Sequence, residues 1–116
     1  MPSRTFKLRL SDMLTEIEVV EETIAGLSYE EFSVDRQALR AVLYSLAVIG
    51  EAVGSVIDDL EKAEPTLPWH QIRGMRNAVI HEYFQVELEI VWQTTQLDIP
   101  VLRDALRHVF IGDYHD

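Results

Sequence analysis

Apolar residues recur every three or four positions along almost the whole chain, which is the period of an α-helix and not of a strand. Leu14, Ile17, Val20, Ile24 and Leu27 mark a first helix, with Glu16, Glu18, Glu21 and Glu22 falling mostly on its other side. Gly26 is placed to stop it. Ser28-Tyr29-Glu30-Glu31 has the spacing of a capping box and predicts a short helical turn, after which Ser33 can cap the next helix. A second long helix is predicted from about Asp35 to about Ala63. Its stripe is Leu39, Val42, Leu43, Leu46, Ile49, Val53, Val56, Ile57 and Leu60, and Pro65 lies just beyond its end. Ala41, Ser45, Ala52 and Gly54 on this helix are small, which allows close approach of another helix, from the same chain or from a second copy. Pro68 suits the first position of a third helix, carried from Trp69 to about Tyr83. A fourth starts near Glu87 with Leu88, Val91, Trp92 and Thr95 along it. Pro100 is expected to kink or break the pattern before Leu102, Leu106, Val109 and Phe110. No segment alternates as a strand would. The fold class is therefore all-α, an antiparallel bundle of four to five helices.

Composition narrows this further. At 116 residues, with no internal repeat, low-complexity stretch or linker, residues 1–116 read as a single domain. The absence of cysteine excludes disulfides, thiolate zinc sites and thiol nucleophiles. The first ten residues lack the apolar core of a signal peptide, and no apolar run approaches the roughly 20 residues of a span. A soluble cytoplasmic protein without membrane association is expected. The formal net charge of −10 repels nucleic acid at long range, so a polyanion would have to enter through a local positive patch. The best candidate surrounds Arg73 and Arg76, inside a stretch from Pro65 to His81 that holds no acidic residue.

That stretch runs into the most informative residues of the chain, Arg76-Asn77-Ala78-Val79-Ile80-His81-Glu82-Tyr83. Arginine can clamp a phosphate bidentately and histidine moves protons near neutral pH, which together suffice for cutting a phosphodiester without a metal. Asn77 and His81 are four apart and share a helix face, whereas Arg76 and His81 are separated by about 140° around a continuous helix. The divergence is relieved by the length of arginine, by loosening of the helix, or by a composite site across a two-fold interface. Ile72, Met75 and Val79 define the buried side, Arg73, Asn77 and His81 the polar one, with Arg76 and Tyr83 at the border. Taken singly, each residue also has a structural reading, such as a surface ion pair for Arg76 or a helix-terminal histidine for His81. Trp69 and Trp92 read most simply as core anchors, although Trp69 beside His70 at a helix start could stack a base. Di-iron Glu-x-x-His pairs, His-Glu-x-x-His and phosphate-cradling glycine loops are all absent, and Asp104 with His108 reads as a surface pair.

Arg76-Asn77-x-x-x-His81-x-Tyr83 resembles the R-x4-H-x-Y signature of HEPN-domain proteins, specifically the HepT-like toxins. Trp69 and Ile72-Arg73-Gly74-Met75 upstream, and Tyr83-Phe84, Val86 and Val91-Trp92 downstream, resemble the flanks in that family. The resemblance implies a HEPN bundle that forms a homodimer, needs no cofactor or metal, and cleaves RNA with the two signatures facing each other. By the same resemblance Arg76 stabilises charge, His81 transfers protons and Asn77 supports them. Arg73, Trp69 and His70 are candidates for holding RNA. The resemblance also implies a partner, an MntA-like minimal nucleotidyltransferase antitoxin that adenylylates Tyr83. The alternative is a non-catalytic helical interaction or nucleotide-binding module that uses the same face to grip a nucleotidyltransferase.

Overall fold

The computed structural model describes residues 4–76 and 87–115, and every described element is helical. Helix α1 is Arg4–Ile24, α2 Tyr29–Val34, α3 Arg36–Ser55, α4 Ile57–Ala63 and α5 Trp69–Arg73. Beyond residue 86 come α6, Leu88–Gln93, a π-helical turn, Thr94–Asp98, and α7, Ile99–His115. The expected all-α bundle is what forms.

Helix α1 buries Phe6, Leu10, Met13, Ile17 and Val20, a stripe shifted slightly from the expected one because Leu14 and Ile24 lie at its margin. It stops where Gly26 adopts φ +77°, a left-handed conformation that costs glycine nothing. The predicted capping box is present: Glu31 N–H donates to Ser28 Oγ (3.1 Å) and Ser28 N–H to Glu31 Oε1 (3.0 Å). Ser33 does not cap α3. It lies within α2 and donates to Glu30 O, while Asp35, with extended φ −97° and ψ 95°, accepts from Ala38 N–H (2.9 Å). Only a residue outside the preceding helix has the backbone an N-cap needs.

The long second helix is two. Val56, at φ −134° and ψ 30°, separates α3 from α4. Gly54 and Ser55 weaken the last turn, Ser55 Oγ bonding back to Ala52 O (2.7 Å), and the break lets α4 bury Leu60 beside α5. Pro68 stands one place earlier than expected, at the N-cap of α5. The third helix is likewise interrupted: α5 ends at Gly74 and the backbone is helical again at Met75 and Arg76. Its continuation to Tyr83 lies outside the described residues.

Pro100 does not break the last helix. The disturbance sits one turn earlier, in the π turn, where the wider register absorbs the clash that a proline ring makes with the carbonyl four residues back. Trp92 on α6 packs on Phe32 and Tyr29 of α2, with ring centroids 5.2 and 6.2 Å away. Ile99, Leu102, Leu106 and Val109 of α7 are buried in the core that α1 and α3 share. Arg103 ties α7 to α1 through Glu21 and bonds Asp104 (3.0 Å). The Asp104 hydrogen bond is the largest cause of its raised pKa; desolvation opposes the rise and the Glu21 carboxylate adds to it. Asp104 is thus engaged by its neighbour Arg103.

Helix α3 is the centre of this arrangement. It is long and apolar enough to cross a membrane by length and composition, contrary to the expectation that no run approaches a span, but half of that window is buried inside the fold. Val42, Leu46, Ile49 and Val53 face the core, which accounts for the apolar stripe.

Candidate functional site around Arg76

Two glycines set the position of Arg76. A Cβ added at Gly50 would lie 2.8 Å from Arg76 N and 3.0 Å from Arg73 O, so the two backbones meet at that residue. One turn along α3, a Cβ at Gly54 would lie 3.1 Å from Arg73 Nε and 3.3 Å from its Cδ and Cγ. Glycine removes the side chain that would otherwise hold the segments apart. Within the chain, Gly50 and Gly54 receive the Arg73–Arg76 segment, and Ser45 donates to Glu16 of α1 (2.9 Å).

Arg76 projects from this seat half-exposed, with Nη1 2.6 Å from Oε2 of Glu51 on α3. The pair borders a groove of about 530 Å³ between α1 and α3, where Arg9, Asp12 and Thr15 face Val48, Glu51 and Ser55. Arg9 lies 3.4 Å from Asp12, and its Nε is buried without a hydrogen-bond partner among the described residues. The groove thus carries two guanidinium groups, each already beside a carboxylate.

The other expected site residues divide. Arg73 is exposed and lies along the same face of α3 as Arg76, where Glu51 sits against the Arg76 guanidinium. His70 is exposed and turns toward Glu61 of α4 at 3.4 Å. Trp69 is 2% exposed and donates from Nε1 to Glu64 O (2.7 Å), closing the α4–α5 connection. It is a core anchor with no face free for a base, which corrects its place among the RNA-holding candidates. Asn77, His81 and Tyr83 lie outside the described residues. Glu51 and Gly50 were not legible as site residues. One is among 20 acids and the other is an unremarked glycine in a helix, and only the i, i+4 repeat with Gly54 could have pointed to Gly50.

Comparison with known proteins identifies the family of the chain. The family model described as "Ribonuclease HepT-like" matches residues 13–109, a span that includes Glu51, Arg76 and the stretch to Tyr83. The chain belongs to the HepT-like ribonuclease family. Among its HepT-like relatives is the "Probable ribonuclease HepT" of Thermococcus cleftensis, 35% identical over 100 residues, covering 86% of this chain and 91% of that one. A relative from Caldanaerobacter subterraneus subsp. tengcongensis, provisionally named an RNase, is 37% identical over 100 residues, covering 86% and 89%. Another provisionally named RNase, from Methanocaldococcus jannaschii, is 35% identical over 109 residues and covers 94% of each chain. No solved structure matches. The HepT-like assignment agrees with the HEPN resemblance read from Arg76 to Tyr83, and ribonuclease activity follows at the level of the family.

Proposed function

We propose that this chain is a metal-independent endoribonuclease, the toxin of a toxin–antitoxin pair, acting in the cytoplasm as a homodimer whose two signatures face each other. The observation that carries the reading is Arg76, held by backbone contact on Gly50 yet half-exposed, at the head of the family's signature. His81 removes the proton of a ribose 2′-hydroxyl, and the 2′-oxygen attacks the adjacent phosphorus. The P–O5′ bond breaks, the 5′-oxygen is protonated, and the products carry 2′,3′-cyclic phosphate and 5′-hydroxyl ends. Arg76 stabilises the charge on the phosphorane oxygens while remaining protonated, and Asn77 orients the imidazole. DNA lacks the nucleophile and is inert. An MntA-like nucleotidyltransferase antitoxin switches the enzyme off by adenylylating Tyr83: the phenol oxygen attacks the α-phosphorus of ATP and pyrophosphate leaves. The added phosphate and nucleoside then repel and displace RNA beside Arg76.

A second reading, a non-catalytic module that grips a nucleotidyltransferase, is favoured by one observation: Arg76 is already countered by Glu51 in a chain of net charge −10. Intact mass followed by RNA cleavage in EDTA separates the two. Unmodified wild type should cut RNA, and Arg76→Ala and His81→Ala should each lose about 10²-fold or more in rate. An unmodified wild type that leaves a broad cellular RNA pool uncut supports the module.

A further inference from the structure

We infer that Glu51 sets the affinity of this site for RNA by competing with phosphate for the Arg76 guanidinium. The inference rests on the reading of Arg76 as the phosphate-stabilising residue and adds a residue from a different helix. Two roles are open to a carboxylate 2.6 Å from such a guanidinium, holding the arginine in place or occupying it.

The seat of Arg76 decides between them. The Arg76 backbone is fixed by its approach to Gly50 and the neighbouring Arg73 by its packing on Gly54, so placement of the segment does not depend on Glu51. The side chains of the pair are 51% and 62% exposed, and so open a pair contributes little to holding either partner. What Glu51 retains is its charge. A phosphodiester on Arg76 must displace that carboxylate or lie beside it, and either costs binding. Asp12 and Glu16 line the same groove, but Asp12 faces Arg9 and Glu16 accepts from Ser45, which leaves Glu51 as the acid in contact with Arg76 among the described residues.

The test compares wild type with Glu51→Gln, which keeps the shape and removes the charge. Glu22→Gln serves as control: it changes net charge equally from an exposed position on α1, ten residues or roughly 15 Å along the helix from Asp12. The probe is a 2′-O-methyl RNA, which cannot be cleaved. Glu51→Gln should tighten its binding about three- to fivefold at low salt, with the gain shrinking as salt rises. Glu22→Gln should not, and in an Arg76→Ala background the gain should vanish. On cleavable RNA, KM should fall by a similar factor with kcat within about twofold. Unchanged binding, an equal gain in Glu22→Gln, or a fall in kcat with unaltered binding overturns the inference, the last by showing that Glu51 positions Arg76. Because binding is read on RNA that cannot react, a wild type unable to cleave defeats the ribonuclease reading without deciding this one.

Discussion

Trp69 and Arg76 are seven residues apart and meet opposite fates on the same stretch of chain. The indole is buried and satisfied by the Glu64 carbonyl, whereas the guanidinium stands at the edge of a groove. An aromatic residue beside a histidine at a helix start resembles a base-stacking platform only until its burial is known. Trp69→Phe removes the indole N–H and leaves Glu64 O without that donor, so urea unfolding should show a loss of about 1–3 kcal/mol. RNA KM should stay within about twofold at temperatures where the variant is folded, and also in Trp69→Leu, where loss of a stacking platform would raise it by tenfold or more.

At the scale of elements, close approach of α3 to the Arg73–Arg76 segment organises the site, and the two glycines that permit it are not equivalent. An alanine at Gly50 meets backbone atoms and forces the helices apart, while one at Gly54 meets the flexible Arg73 side chain, which can swing away. Gly50→Ala should therefore destabilise by about 1–3 kcal/mol and lower kcat, and Gly54→Ala should do clearly less of both. Thermal melts and single-turnover cleavage on the same preparations check this. The sequence carried what short-range chemistry decides. The Ser28–Glu31 box, the stop at Gly26 and the start of α6 next to Glu87 are each encoded within a few residues. What it did not carry depends on partners distant in the chain. Leu60, beyond the break at Val56, is buried on a helix that packs on α5, and Glu51 matters only because α3 passes Arg76. Arg73 and Arg76 were legible as a patch because no acid lies near them in sequence. The acid that answers Arg76 comes from 25 positions earlier, where no local pattern reveals it.

Over the whole molecule, 20 acidic against 10 basic side chains leave RNA repelled everywhere except at a few guanidinium groups. A substrate held by so few cations releases few counterions. The plot of log affinity against log salt for single-stranded RNA should therefore have a slope of magnitude below about 2, far shallower than for a basic RNA binder. Fluorescence anisotropy across a salt series gives this slope directly. A steep slope would mean that a second cationic surface takes part in binding.

The π turn of Thr94–Asp98 gives the last third of the chain a phase. A plain α-helix turns about 100° per residue, so a rod with one residue too many presents two faces in different directions along one length. Here one face, at Trp92, addresses α2, and the other, from Ile99 onward, addresses the core beneath α1. The wider turn takes up the surplus residue, which in a plain α-helix would set Trp92 about 100° out of its phase with Leu102. Removing a single exposed position such as Gln96 should therefore leave a plain α-helix with both faces still on their partners.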